Sequence, residues 1–158
     1  MRAVFNTSPL IILTKLGYLS QAIGLFEGVI IPKAVWEEIR AKEDEVSAAI
    51  KGLTSGGAVR IVEPQNIKDL TYSGLHRGEI EAIALAKETS SIVVLDDLKA
   101  RKAARFEGLR VIGTLGILKI LMERKIIYEN PDDLFYKLKR LGFRITPELF
   151  YRITGDDS

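Results

Sequence analysis

A chain of 158 residues without cysteine, 47% hydrophobic and with a formal net charge of +2, suits one domain, 1–158, with a sizeable core. It excludes a disulfide framework and thiolate chemistry. Apolar runs as short as residues 10–13 exclude a bilayer-spanning segment, and Asn6 to Pro9 interrupts any signal-peptide core, so a cytoplasmic protein with no membrane contact is expected.

The elements alternate along the chain. Residues 2–5 read as a strand. Ser8 is placed to cap a helix reaching about Lys15, with Pro9 at its first position and Gly17 to end it. Ser20 is placed to cap a short helix through Phe26. Val29, Ile30 and Ile31 read as a buried strand, and Pro32 opens a helix to about Lys42 in which Val35 and Ile39 mark the buried stripe. Residues 46–53 read as a helix and 59–62 as an edge strand. Residues 65–75 read as a loop. Residues 78–87 form an alanine-rich helix that can pack close to a neighbour. Ile92, Val93, Val94 and Leu95 read as a buried strand, followed by a helix over 98–106 that stops at Gly108. A strand over 109–112 and a helix over 114–124 follow. Asn130-Pro131 and Thr146-Pro147 each pair an N-cap with a proline at the first helical position. This alternation predicts a parallel α/β sheet of about four to five strands with helices on both faces.

Chemistry in such sheets collects outside the carboxyl ends of the strands. Asp96 and Asp97 directly follow the 92–95 strand, Asn6 follows the first strand, and Thr114 follows the last. Mg²⁺ and Mn²⁺ take oxygen ligands, several of them carboxylates, and phosphodiester hydrolysis uses them to activate water and neutralise the departing oxygen. Asp96, Asp97, Glu38 and Glu79 are therefore the candidate ligands. Glu38 lies beside the Val35/Ile39 stripe, whereas Glu37 is spaced to pair with Lys33. Glu79 opens its helix, and Glu81 is the substitute for it. Each acid also has a plain structural role open to it: Asp97 as a helix cap, Glu79 in a favourable first turn, Glu38 on a solvated face. His76, the single histidine, reads as a surface loop residue. Gly113-Thr114-Leu115-Gly116 reads as a tight turn into a helix, and Trp36 as a core or interface residue. Residues 97–145 hold 12 Lys/Arg against 6 Asp/Glu, a local charge of about +6, which suits a polyanion; the plain alternative is a set of solvated helix faces. Lys99 and Arg101 open the helix after the acidic pair and are placed to flank the pocket.

Together, Phe5-Asn6-Thr7-Ser8-Pro9-Leu10, the 31–38 stretch with Glu37-Glu38, Gly78-Glu79-Ile80-Glu81-Ala82-Ile83-Ala84-Leu85-Ala86 and Leu95-Asp96-Asp97 with Ala100-Arg101 resemble a PIN-domain-like family of small prokaryotic proteins. Gly113-Thr114-Leu115-Gly116 and Gly142-Phe143-Arg144-Ile145 continue the match, to about Ile153. The group is similar to VapC-type toxin nucleases. The resemblance implies a Rossmann-like fold, a Mg²⁺ or Mn²⁺ site of three or four acids, RNA cleavage, homodimers and a small antitoxin partner. It places the family's first-strand acid on Asn6, its helix glutamate on Glu38, its third acid on Glu79 and its last on Asp96 or Asp97. Thr7, Ser8 and Thr114 then line the site by hydrogen bonding, with Lys99 and Arg101 toward nucleic acid. The departure is Asn6: an amide oxygen can ligate a metal but brings no charge and cannot act as a base.

Two readings follow. The first is a metal-dependent ribonuclease of PIN type, extending to a toxin of a toxin–antitoxin pair, with Asn6 weakening its activity. The second is a catalytically inactive PIN-like module that binds RNA or a protein partner. A phosphoacceptor domain built on Asp96-Asp97 ranks behind both, because its acid is expected after the first strand, where Asn6 stands.

Overall fold

Five short strands line up in parallel in a computed structural model of the chain, which describes residues 1–67 and 72–154. The strands are β1 (Arg2–Phe5), β2 (Gly28–Pro32), β3 (Val59–Val62), β4 (Ile92–Val94) and β5 (Val111–Ile112), in the order β3-β2-β1-β4-β5. Val4 sits in the middle, paired with Ile30 on one side and Val93 on the other. The helices are α1 (Thr7–Leu16), α2 (Leu19–Ile23), α3 (Lys33–Arg40), α4 (Glu45–Ser55), α5 (Arg77–Thr89), α6 (Leu98–Phe106), α7 (Thr114–Glu123), α8 (Pro131–Arg140) and α9 (Pro147–Thr154). The predicted parallel α/β architecture is what the chain adopts. Among the described residues no helix is long and apolar enough to cross a membrane.

Strand alternation divides the core in two. Ala3, Phe5, Val29, Ile31 and Val94 face a cluster completed by α1, α4, α7, α8 and α9. Val4, Ile30, Val93 and Leu95 face a second cluster closed by α5 and α6. There the helices present Ala82, Ala84, Ala86, Ala100, Ala103 and Ala104, and small side chains let their backbones lie close to the sheet. Both faces are covered, so the strands read as continuous apolar runs.

The topology creates the site. From β1 the chain winds outward through β2 and β3, then returns to add β4 and β5 on the other side. The order reverses between β1 and β4, and a crevice opens outside their carboxyl ends. Asn6 N donates to Val94 O at 3.1 Å, so the two strand ends are tied where the crevice begins.

Some boundaries differ from expectation for identifiable reasons. Helix α1 begins at Thr7, with Asn6 in the cap position and no side-chain cap bond. Ser8 is therefore inside the first turn, and its hydroxyl goes to Asp96 instead. Helix α2 starts at Leu19 and ends at Ile23, short of Phe26. Pro32 is the last residue of β2 as well as the cap position of α3, and the free Ala34 N–H is met by Glu81 of α5 at 3.0 Å. Lys33 lies 3.7 Å from Glu63 beyond β3, not with Glu37. Asn130 caps α8 through Asp132 N and Asp133 N, and Thr146 Oγ1 accepts from Leu149 N, both as expected. The predicted 65–75 loop lies partly outside the described residues.

Candidate functional site

The crevice holds a cavity of about 720 Å³ lined by Asn6, Thr7, Ser8, Glu38, Glu79, Asp96 and Asp97, with residues 141–144 contributing a further wall. The fold thus brings seven of the sequence candidates, from five separate elements or turns, to one place. Asn6 ends β1, Thr7 and Ser8 start α1, Glu38 is on α3, Glu79 is in the first turn of α5, and Asp96 and Asp97 join β4 to α6.

Each acid is held differently. Asp96 accepts from Thr114 N at 2.8 Å on Oδ1, and from Thr114 Oγ1 at 2.7 Å and Ser8 Oγ at 3.2 Å on Oδ2. It ties the end of β4 to the starts of α7 and α1. Asp97 caps α6, with Oδ2 accepting from Ala100 N at 3.0 Å. Glu38 Oε2 accepts the Thr7 hydroxyl at 2.6 Å. Glu79 is buried, 7% exposed, and its Oε1 accepts the His76 N–H at 2.9 Å. Burial pushes the Glu79 carboxyl above its ordinary range, the His76 N–H pulls it back, and the charges of Asp97 and then Glu38 push it up again. Glu79 thus lies within electrostatic reach of Asp97 and Glu38 across the cavity.

Two glycines make the arrangement possible. A Cβ on Gly78 would lie 3.2 Å from Val35 Cγ2 and 3.5 Å from Asn6 Oδ1, so the start of α5 can approach β1 and α3 only without one. A Cβ on Gly113 would lie 2.7 Å from Arg101 Nη1 and 3.1 Å from Asp96 Oδ1. The turn at 113–116 is therefore a close-packed entry into α7, and its first N–H meets a carboxylate of this chain.

Three candidates are not among the residues that line the cavity itself. Thr114 is fully buried and its hydroxyl is taken by Asp96, so it positions an acid. Arg101 is half-buried, and its guanidinium donates to Leu95 O at 2.8 Å, bracing the strand end. Lys99 is exposed on α6 and, like Arg101, does not line the cavity. Glu81 is no substitute for Glu79: it is 2% exposed and turned toward Ala34 N and Arg77 Nε, 3.0 and 3.1 Å away. Two lining residues escape the sequence reading. His76 is the N-cap of α5 and lines the cavity, and the spacing of Glu79 three residues later was a usable signal for it. Arg144 lies in the Gly142-Phe143-Arg144-Ile145 stretch of the family match, which does not by itself assign it to the site.

The lining acids offer hard oxygen donors, the class that Mg²⁺ and Mn²⁺ take. Repulsion of Glu79 by Asp97 and Glu38 is what a cation would relieve, so the donor chemistry fits a divalent metal. As the side chains stand, no group of three or more His, Cys, Asp and Glu among the described residues is arranged to hold one.

A family model described as PIN domain matches residues 2–156. Endoribonuclease Nob1 of Pyrococcus abyssi (strain GE5 / Orsay) is 32% identical over 94 residues, covering 53% of this chain and 56% of that protein. The chain thus spans about half the length of this curated relative. A PilT N-terminus domain protein from the hyperthermophilic archaeon Sulfolobus solfataricus P2 superposes with a TM-score of 0.52 at 20% identity, over 82% of this chain and 98% of that one. That likeness concerns the fold.

Proposed function

The chain belongs to the PIN domain family, of which Nob1 is an endoribonuclease relative, and from that premise we propose that it is a metal-dependent endoribonuclease weakened at one position. The observation that carries the reading is the buried Glu79 carboxyl at the sheet's switch point, raised by burial and by Asp97 and Glu38 beside it. Glu79, Asp97 and Glu38 are the residues that would hold Mg²⁺ or Mn²⁺. A bound divalent ion supplies charge neutralisation and an activated water.

The remaining roles belong to the chain. Thr7 orients Glu38 through its hydroxyl. Thr114 and Ser8 fix Asp96, which acts as a positioned neighbour with donors on both oxygens. Because His76 N–H holds Glu79 Oε1, Oε2 is the atom left to carry a proton. Asn6, 7% exposed at the end of β1, offers an oxygen without charge where the family places an acid. It can orient a water by hydrogen bonding but cannot take its proton. The toxin role, an antitoxin partner and a homodimer stand as expectations of the resemblance.

Asn6 itself favours a second reading, an inactive module that binds RNA. One experiment separates the two: cleavage of a labelled RNA with and without Mn²⁺, by the natural chain and by Asn6→Asp. The nuclease reading expects slow metal-dependent cleavage that Asn6→Asp raises by a larger factor than it raises metal affinity, because the added base acts in the transition state. Complete inertness of Asn6→Asp with fold intact and metal bound supports the binding module.

A further inference from the structure

Resting on that reading, we propose that Arg144 and the exposed end of α8 form an arm that holds single-stranded RNA against the acidic crevice. Arg144 takes the phosphate nearest the acids, and Tyr136 and Arg140 take the nucleotides leading away from it.

The crevice poses an electrostatic problem for an RNA substrate. Its lining carboxylates repel a polyanion, and the cations expected to offset them do not line it: Arg101 braces Leu95 O and Lys99 lies exposed beside Gly74. Arg144 is the cation in the lining. It is exposed, and among the described residues it makes no hydrogen bond and no ion pair, although it shares a cavity with four acids. A guanidinium so placed has all of its donors available, in the fork geometry that matches a phosphate.

The backbone that carries Arg144 is fixed. At the end of α8, Gly142 N donates to Lys139 O and Phe143 N to Leu138 O, both at 3.0 Å, with Gly142 at φ +83°. This closure turns the chain back toward the crevice, and only glycine takes that φ readily. Leu141 and Phe143 then pack against the core on either side of the turn, so the wall is anchored and its cation is not.

Helix α8 continues the arm outward. Tyr136 is 64% exposed, and the Arg140 guanidinium sits over its ring at 5.9 Å from the centroid. An exposed ring paired with a guanidinium, on the helix that leads into the cavity wall, gives a stacking surface beside a phosphate-binding cation. That pairing of aromatic and cation suits single-stranded nucleic acid and carries little sequence preference.

The test measures binding of a fluorescein-labelled single-stranded oligouridylate by anisotropy, in EDTA, over a series of NaCl concentrations. Arg144→Ala is expected to raise Kd about tenfold and to flatten the log–log salt slope by about 0.7, one phosphate contact. Arg144→Lys should restore the slope but not the full affinity. Tyr136→Ala should weaken binding about tenfold with the slope unchanged. Both residues are exposed, so melting curves are expected to match the natural chain and to exclude misfolding. An Arg144→Ala protein with unchanged Kd and slope, or a natural chain that does not bind the oligonucleotide at low salt, overturns the proposal. Cleavage with Mn²⁺ is scored separately. Arg144-dependent binding without cleavage, even in Asn6→Asp, supports the arm and sinks the nuclease reading; cleavage with Arg144-independent binding does the reverse.

Discussion

Asp96 and Glu79 line the same crevice, yet one is satisfied and the other is strained electrostatically. Both Asp96 oxygens have donors, from Thr114 N, Thr114 Oγ1 and Ser8 Oγ. Glu79 has one backbone N–H, is almost fully buried, and faces the charges of Asp97 and Glu38. The first arrangement gives every one of its oxygens a donor and makes the side chain a strut between β4, α7 and α1. The second disfavours ionisation and leaves the group waiting for a proton or a cation. Two carboxylic acids lining one crevice thus divide into one that holds it and one held in it under repulsion.

The largest effect should come from breaking the strut. Asp96→Ala removes the acceptor for a fully buried Thr114 hydroxyl and for the first N–H of α7. Leaving such groups unmet should cost about 2–4 kcal/mol, read as a lowered urea midpoint at constant m. A cost under about 0.5 kcal/mol, the range of a surface change, would show that Asp96 is not a strut at all. A smaller loss is expected from Gly113→Ala. Its methyl would meet Arg101 Nη1 and Asp96 Oδ1, at 2.7 and 3.1 Å. The guanidinium can swing away, giving up its bond to Leu95 O, so the cost should be about 1–2 kcal/mol. Adding Arg101→Ala to Gly113→Ala should then cost less than Arg101→Ala alone, because the contact is already lost.

How much of this was legible in sequence follows from what each signal reports. The strands were legible because Val29, Ile30, Ile31 and Ile92, Val93, Val94 are apolar runs buried on both faces, a property of neighbouring residues. Asn130-Pro131 was legible as a helix start because the cap and its partners, Asp132 N and Asp133 N, lie within three residues. The acids at strand ends could be grouped because a parallel sheet puts all carboxyl ends on one side. What sequence could not show was pairing across the chain. Ser8 reads locally as a cap, but its partner is 88 residues away. Glu81 reads as a spare site acid, but it caps α3 from 47 residues away. Arg101 and Lys99 read as flanking cations because they follow the acidic pair, yet helix α6 carries them out of the lining. Arg144 stood in the Gly142-Phe143-Arg144-Ile145 match without a role, because it is a turn after α8 that brings it to the crevice. Periodicity describes an element's own faces, and the identity of the facing element is a tertiary fact.

The smallest effect tests the other half of the contrast, the strained Glu79. Its carboxyl is raised in the folded state above its value in the unfolded chain. The folded state therefore binds the proton more tightly, and the stabilisation it gains is fully present below the unfolded carboxylate range. It is lost as pH rises through the folded value, where Glu79 must ionise beside Asp97 and Glu38. Glu79→Gln mimics the protonated form at all pH. Without metal, the variant should match the natural chain in mildly acidic solution and melt higher than it at pH 8. Asp97→Asn keeps a cap for α6 and removes one neighbouring charge, so it should shrink that pH dependence without abolishing it, since burial is the larger cause. Millimolar Mn²⁺ should then reverse the order at pH 8. The natural chain gains stability from a cation that binds only the fold, and Glu79→Gln gains less. A pH profile identical in the natural chain and Glu79→Gln would mean that the His76 N–H alone satisfies Glu79. The division between a strut and a working acid would then fail at its second member.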